Sequence, residues 1–411
     1  MALVTMETVL AVARGIVLAL EIMLAIPLLY LLALAIGAAV GTLRVATTRG
    51  KDELPDTATF AILVPAHNEE LLIGKALNSL AGLDYPADRY AVHVIADNCT
   101  DATTEIATAA GALVHERVNE VERGKGYALA WAFNLLMHGD TPYDAYIVLD
   151  ADAVVEPGFL RALARGLARG GRALQSHNAV LNAAESPTSA LRWLALSLMN
   201  YVRPLGRNVL GGSSTLTGNG MCLTHGMLES HPWQAFGLSE DYQYYLSLVV
   251  SGEKVLFVPD ATVRSVMPTT ARQLTTQDIR WESLTRDSSS WQRRIGLRLF
   301  ADGIRRHSWV RLDALAELLT PPLSALAGGC ALLLIVASAL LAPLQIIIAA
   351  LLTGALLAYV GSAFALLRPP WSVYRALVYA PAYILRKLWI YFVLRRLRRS
   401  TITWVRTSRT A

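Results

Sequence analysis

Apolar residues fall into two kinds of run along this chain, long runs at the two ends and short runs in the middle. Residues 8–43 are almost continuously apolar, interrupted by Arg14, Glu21 and Pro27. A membrane crossing needs about 20 such residues. We therefore predict one transmembrane helix with an amphipathic lead-in, or two packed helices. A secretory signal is the competing interpretation, but the run is longer than a signal's apolar core and lacks a clear cleavage site.

The C-terminal third contains two more runs that are long enough to cross a membrane, residues 314–342 and 344–367, which meet near Pro343. Residues 373–394 form a weaker run that basic residues interrupt. A third crossing there would put the basic tail outside, although positive residues favour the cytoplasmic side. We therefore predict two C-terminal transmembrane helices followed by a cytoplasmic interfacial helix.

In the middle of the chain, short apolar runs alternate with helical patterns, and each run ends in a polar loop. This alternation predicts a Rossmann-like α/β domain built on a doubly wound parallel sheet. The predicted strands are residues 59–64, 90–96, 112–115, 145–149, 173–177 and 254–258.

Two aspartates, Asp150 and Asp152, directly follow the strand predicted over residues 145–149. Open α/β sheets bind ligands beyond the carboxyl ends of their strands. Neighbouring carboxylates resist joint ionisation, and Mg²⁺ is usually held by one or two carboxylates plus substrate phosphates. The pair therefore predicts a metal–diphosphate site, with a solvated loop as the alternative.

Other polar residues are expected at the same edge of the sheet. Lys125 lies between two glycines at a predicted helix start, where it could reach a phosphate. Asp97 ends the second strand, where it could accept hydrogen bonds from a base or a ribose. The alternatives are a solvated lysine and ordinary turn chemistry. Neither a Walker A loop nor a G-x-G-x-x-G fingerprint occurs, which disfavours ATP hydrolysis and dinucleotide redox chemistry.

Three later segments could complete a site. Residues 211–220 are rich in glycine and hydroxyl groups and could allow a substrate close to the backbone, or could be a plain flexible connector. Glu240 and Asp241 begin a helical run, where they could balance the helix dipole or supply a general base. Residues 277–281, Gln-Asp-Ile-Arg-Trp, place an amide, a guanidinium and an indole on one helix face, which suits a diphosphate and a stacked ring. An interfacial amphipathic helix is the alternative there.

The composition supports a membrane protein. Hydrophobic residues make up 54% and charged residues 17% of the 411 positions, too apolar for an ordinary soluble enzyme. The net charge of +5 is concentrated in residues 386–409, a basic tail that suits anionic lipid headgroups better than nucleic acid. Three cysteines without paired spacing argue against a disulfide framework or a zinc site.

The order of these motifs resembles the membrane-integrated family 2 glycosyltransferases, the group that includes cellulose, chitin and hyaluronan synthases. The resemblance runs from about Phe60 to Trp281. It rests on the Val-Pro-Ala-x-Asn-Glu loop, the aspartate-led loop at 97–101, the lysine at 125, the Asp-x-Asp pair, the Glu-Asp pair and the Gln-x-x-Arg-Trp segment.

The resemblance implies a GT-A fold, a nucleotide-diphosphate sugar donor (a UDP-sugar by family habit) and Mg²⁺ or Mn²⁺. It implies an inverting displacement, with Asp241 deprotonating the acceptor and Asp152 coordinating the metal. The remaining implied roles are nucleotide binding by Pro65, Glu69, Asp97, Lys125 and Asp150, diphosphate and acceptor contacts by Gln277, Arg280 and Trp281, and support by Glu240 and Asn219.

We therefore expect a hexosyltransferase that extends a polysaccharide at the cytoplasmic face of the inner (plasma) membrane. Its candidate partners are a second copy of this chain or an export protein. The alternatives are transfer to a lipid-linked acceptor, a non-catalytic scaffold of an export complex, and a transporter. The expected segments are an N-terminal transmembrane segment (1–45), a GT-A domain (46–268), interfacial helices (269–312), two transmembrane helices (313–368), and an interfacial helix with a basic tail (369–411).

Overall fold

The computed structural model describes residues 6–48, 56–237, 239–267, 269 and 289–396. Within these residues, the middle of the chain forms one mixed sheet of eight strands. The strands are β1 (Phe60–Ala66), β2 (Tyr90–Asp97), β3 (Leu113–Arg117), β4 (Ala145–Val148), β5 (Val154–Val155), β6 (Ala173–Val180), β7 (Met221–Thr224) and β8 (Val255–Ser265).

The strand order is β3-β2-β1-β4-β7-β6-β8-β5. The first four strands in this order are parallel, as predicted. The prediction of a wholly parallel sheet is wrong, because β7 is antiparallel to β4 and β6, and β5 is antiparallel to β8. The loop before β7 lies at the carboxyl edge of the sheet, where the Gly220 amide donates to the Val148 carbonyl (2.8 Å). A strand that starts at this edge can only run back across the sheet.

Helices cover both faces of this sheet. Strand β1 is therefore buried on both sides, with Phe60 to Val64 at most 1% exposed, which explains its unbroken apolar sequence. Helices α2 (Ile73–Ala81), α3 (Thr103–Ala109) and α5 (Phe159–Ala168) contribute to the core on one face, and α4 (Lys125–Met137), α8 (His225–Ser230) and α9 (Glu240–Ser251) to the core on the other.

The N-terminal apolar run is a single helix, α1 (Met6–Thr48), so the alternative of two packed helices is wrong. Residues Glu7–Val45 are long and apolar enough to cross a membrane. The helix packs closely on α7 (Arg203–Val209), which follows α6 (Pro187–Ser197) and a π-helical turn, Leu198–Val202. A Cβ added at Gly206 of α7 would overlap the Leu34 carbonyl oxygen of α1, so only glycine permits this approach.

The C-terminal third is helical and only partly follows the predicted spans. Residues 314–342 are not one helix, because Pro321 and Pro322 end the first helix and the chain bends by 66°. The second predicted span is confirmed as a long apolar helix over Pro343–Leu367. The helices are α10 (Ser289–Arg305), α11 (Trp309–Leu319), α12 (Leu323–Ala339), α13 (Pro343–Leu367), α14 (Trp371–Arg375) and α15 (Ala380–Arg396), with a 3₁₀ turn at Ala376–Tyr379.

Candidate active site

Lys125 lies at the centre of the site. Its Nζ donates to Asp150 Oδ1 (2.5 Å) and to the Gly218 carbonyl (2.6 Å), so the alternative of a solvated lysine is wrong. The glycines beside it are needed for different reasons. Gly124 has a φ of +114°, and a Cβ at Gly126 would overlap the Ala235 carbonyl.

The glycine-rich loop over residues 211–220 is an ordered wall of this site. Gly218 and Gly220 have φ near +73° and +74°, and Asn219 between them is 1% exposed. Asn219 Oδ1 accepts from the Asp150 amide (3.2 Å), and Asn219 Nδ2 donates to Ser265 Oγ (3.1 Å). The loop therefore makes specific contacts with the sheet edge and is more than a plain connector. The supporting role of Asn219 stays a prediction.

The two acids at the start of α9 face the same point. A Cβ built on Gly218 would lie 2.9 Å from Asp241 Oδ2 and 3.5 Å from Lys125 Nζ. Glu240 is 9% exposed and interacts electrostatically with Lys125, Asp150 and Asp241. We call Lys125, Asp150, Glu240 and Asp241 the donor-site cluster.

The electrostatics of the donor-site cluster follow from three acids that share one ammonium group. Burial and then the charge of Asp241 raise the pKa of Glu240 to about 7. Burial also raises the pKa of Asp241, although the charge of Lys125 opposes the rise. For Lys125, burial lowers the pKa, but the acids led by Asp150 outweigh it and raise the pKa overall. A carboxyl group whose pKa is raised by burial suits proton transfer.

Asp97 lies at the same edge, two strands from β4 and so roughly 10 Å away. Its Oδ1 accepts from Arg117 Nη1 (2.6 Å) and from Asn98 Nδ2 (3.1 Å). Both Asp97 and Arg117 are buried. The sequence suggested ligand binding or turn chemistry for Asp97. The structure adds a buried ion pair with Arg117.

The other predicted residues lie nearby on this edge. Pro65 is in β1, in register with Ile95 of β2. The Glu69 amide donates to Thr103 Oγ1 (2.8 Å), which joins the loops after β1 and β2. Asp152 is half-buried in the turn after β4. Gln277, Arg280 and Trp281 lie outside the described residues.

Sequence reasoning missed several supporting residues. Arg117 ends β3 in register with Asp97, so aligning the carboxyl ends of the parallel strands would have found it. Gln175 and Ser265 had no comparable local signal. Gln175 Nε2 donates to the Asn219 carbonyl (2.8 Å), and Gln175 Oε1 accepts from the Thr217 amide (3.0 Å).

A comparison with known protein families identifies the family of this chain. The model of a family described as "glycosyltransferase like family 2" matches residues 55–283. The chain belongs to this family. The predicted family is therefore confirmed, and the mixed sheet with its donor-site cluster at the carboxyl edge is a GT-A-like glycosyltransferase fold. The narrower likeness to cellulose, chitin and hyaluronan synthases stays a prediction.

Two curated relatives each match a little more than half of this chain. Beta-monoglucosyldiacylglycerol synthase of Synechocystis sp. is 31% identical over 224 residues, 54% of this chain and 46% of that protein. A probable glycosyltransferase, YdaM, of Bacillus subtilis is 24% identical over 240 residues, 56% of each chain. The chain spans about half the length of the curated relatives it matches.

Among solved structures, a mannosyltransferase from Pyrobaculum calidifontis in complex with GDP-Man and Mn²⁺ has 17% identity and a TM-score of 0.49. The match covers 88% of this chain and 98% of that chain.

Proposed function

We propose that this chain is an inverting membrane glycosyltransferase that moves a hexose from a nucleotide-diphosphate sugar to the hydroxyl of a lipid acceptor. The observation that carries this proposal is the convergence of Asp241 and Lys125 on Gly218, beside the Lys125–Asp150 ion pair. This arrangement puts a candidate base and a candidate phosphate contact within one site, at the sheet edge where α/β folds bind ligands.

On the donor side, we propose that the nucleotide spans the distance between Asp97 and Asp150. Pro65 and Glu69 lie on the strand and loop between these two carboxylates. Lys125 would exchange part of its contact with Asp150 for the donor diphosphate, because an ammonium group forms strong hydrogen bonds to phosphate oxygens. The side chain of Asp150 is 41% exposed and is therefore accessible to a ligand.

Asp150 and Asp152 fit a divalent metal that is shared with the substrate. Among the described residues, no group of three or more His, Cys, Asp or Glu could hold an ion by itself. One or two carboxylates plus substrate phosphates are the usual donor set for Mg²⁺. We propose that Asp152, assisted by Asp150, holds Mg²⁺ or Mn²⁺, which would neutralise charge on the leaving diphosphate.

On the acceptor side, we propose Asp241 as the general base. As the acceptor oxygen bonds to the anomeric carbon, Asp241 takes the hydroxyl proton, and the bond from that carbon to the diphosphate oxygen breaks. A single displacement inverts the configuration at this carbon. Burial, which raises the pKa of Asp241, makes its carboxylate a stronger base than an exposed aspartate. Gln277, Arg280 and Trp281 remain candidates for contacts with the diphosphate and the acceptor.

Two features favour a lipid acceptor over the growing polysaccharide of the initial expectation. Relatives in Synechocystis and Nostoc, each 31% identical over the matched region, are named as synthases of beta-monoglucosyldiacylglycerol. In addition, the candidate membrane helices α1 and α13 pack on the helices that follow β6, so the catalytic domain lies directly against the apolar part of the chain. A lipid hydroxyl at the bilayer surface would be within reach of such a domain.

For the membrane arrangement, we propose that the catalytic domain lies on the cytoplasmic side, since basic residues follow α1 and crowd the C-terminal tail. Helix α10 would lie in the interface. Its exposed apolar side chains, Leu297, Phe300 and Ile304, recur at helical spacing, and arginines surround them. Such a helix suits an anionic lipid surface.

The test is a donor screen on the purified protein in nanodiscs, with Mg²⁺ or Mn²⁺ and a panel of UDP- and GDP-sugars. Nucleoside diphosphate release would be followed with and without diacylglycerol, and products identified by mass spectrometry. We expect release that requires the lipid and yields a lipid with one added β-linked sugar. A growing polymer formed without lipid would restore the polysaccharide expectation. No release from any donor would contradict the proposal.

A further inference from the structure

A second set of buried charges lies between the catalytic domain and the candidate membrane helices. Arg207 Nε of α7 pairs with Asp313 Oδ2 of α11 (2.9 Å), and Arg203 Nη1 pairs with Glu317 Oε1 (3.1 Å). Both arginines and both acids are spaced four residues apart, so one face of each helix carries the pairs. We call these four residues the ion ladder.

The ion ladder is nearly sealed from solvent. The side chains of Arg207 and Asp313 are 1% and 2% exposed, and those of Arg203 and Glu317 are 11% and 14% exposed. A Cβ added at Gly212 would overlap the Asp313 carboxylate, so the backbone closes over it. A buried pair of this kind adds little stability compared with apolar side chains of similar size. Stability alone therefore does not account for these buried charges, and the contacts that they hold are the next place to look.

Three tyrosine hydroxyls connect the ion ladder to other helices. Tyr30 of α1 donates to Asp313 Oδ1 (2.8 Å). Tyr359 of α13 accepts from Arg203 Nε (2.8 Å), and Tyr245 of α9 accepts from Arg207 Nη2 (2.8 Å). Arg207 and its partner Asp313 thus join the catalytic domain to α1 through two hydrogen bonds and one ion pair.

The contact with α9 bears directly on the donor-site cluster. Tyr245 follows Asp241 by four residues, so it lies one helical turn further along the same face. The hydrogen bond from Arg207 to the Tyr245 hydroxyl therefore restrains the rotation and the axial position of α9 one turn beyond Asp241. The Asp241 carboxylate, which faces Gly218, depends on both.

We propose that Arg207 is a positioning residue. Through Tyr245 it holds α9, and with it the Asp241 carboxylate, and through Asp313 and Tyr30 it ties that position to the candidate membrane helix α1. The inference rests on the proposed function, because it assigns Arg207 an effect on the rate of transfer. It explains why four charges remain buried at a boundary that apolar side chains could fill.

The test compares Tyr245→Phe with the matched control Tyr244→Phe. Both tyrosines are buried on α9. Each substitution removes one hydroxyl contact: Tyr244 donates to the His231 carbonyl (2.7 Å), and Tyr245 accepts from Arg207. We expect Tyr245→Phe to lower kcat by about tenfold, since small misplacements of a catalytic group are costly. We expect the KM for the donor to stay within about twofold, and Tyr244→Phe to change neither constant by more than that.

A second variant tests the connection to α1. Tyr30→Phe removes the hydroxyl bound to Asp313 and leaves the Arg207–Tyr245 contact in place. We expect a fall in kcat of about threefold at unchanged donor KM, and this variant also serves if Tyr245→Phe does not fold. Equal losses in Tyr245→Phe and Tyr244→Phe, or wild-type kcat in Tyr245→Phe and Tyr30→Phe, would overturn the inference. Inactive wild-type protein would instead contradict the proposed function.

Discussion

The donor-site cluster and the ion ladder both consist of acidic and basic side chains in close contact, but they differ in charge balance and in exposure to solvent. The ion ladder has two arginines for two acids and is almost closed to solvent. The donor-site cluster has one lysine for three acids, and its Lys125 and Asp150 side chains are 27% and 41% exposed. The balanced set suits a fixed structural contact. The unbalanced, accessible set suits a substrate that brings its own charge.

The largest effect is expected at Asp241, which we propose as the general base of the unbalanced cluster. Asp241→Asn keeps the size of the side chain but removes its ability to take a proton, so we expect kcat to fall by about 10³-fold. Donor affinity, measured by calorimetry, should change little because the charge of Lys125 remains. Glu229→Gln, at an exposed glutamate on α8, is the control. Full activity in Asp241→Asn would exclude it as the base.

Removing one charge from the ion ladder should mainly lower the free energy of unfolding. Arg207→Met leaves the Asp313 carboxylate buried and unpaired, which typically costs about 3–5 kcal/mol. The midpoint of chemical denaturation in micelles would report this loss. Arg172→Met is the control, because its pair with Glu253 is partly exposed and should contribute less than about 1 kcal/mol. Similar losses in the two variants would remove the distinction between the ion ladder and an ordinary surface pair.

The pH dependence of the free energy of unfolding should report the protonation of Glu240 in the donor-site cluster. The pKa of Glu240 is raised from 4.5 to about 7 in the folded protein, so the folded state holds a proton that the unfolded chain has already released. Its stabilising contribution is complete below about pH 4.5 and is lost as pH rises through about 7. The loss amounts to at most about 3 kcal/mol.

Glu240→Gln should therefore unfold at a more nearly constant denaturant concentration between pH 4.5 and 7 than wild type does. A parallel pH dependence in both proteins would show that Glu240 does not retain its proton on folding.

The smallest expected effect concerns donor affinity. Lys125→Met removes the ammonium group that faces Asp150, and a hydrogen bond to a charged group is worth about 2 kcal/mol. We expect the Kd of the nucleoside diphosphate to rise by about 30-fold. Lys75→Met, at a lysine on α2 in the opposite face of the sheet, should bind as wild type does. Unchanged affinity in Lys125→Met would mean that Lys125 contributes to the fold and not to donor binding.

Sequence patterns predicted the local parts of this molecule well. The strand before Asp150, the helix start at Lys125 and the two acids that open α9 are set by neighbouring residues, and the structure has all three. Strand β7 was missed altogether, because a run of four residues carries no clear signal for a strand or for its direction. Pro321 and Pro322 lie inside the run over residues 314–342. Apolar length alone therefore predicts one helix where these prolines end the first of two.

The ion ladder was beyond prediction for a different reason. Arg207 and Asp313 are 106 residues apart in the sequence, and each alone resembles an ordinary charge at the end of a helix. Gly212 lies against the Asp313 carboxylate, about 100 residues away in the sequence, and no local pattern encodes such a contact. In the donor-site cluster, the contact of Lys125 with the Gly218 carbonyl could not be predicted either, because it depends on the course of a long loop.

The most direct test of the central claim is an experimental structure of the protein in nanodiscs with a non-hydrolysable nucleotide-sugar and Mn²⁺. We expect the diphosphate beside Lys125 and the metal at Asp150 and Asp152. We expect the anomeric carbon to face the Asp241 carboxylate from the side that is open to the acceptor. A nucleotide bound away from Lys125, or an Asp241 carboxylate turned away from the anomeric carbon, would contradict that claim.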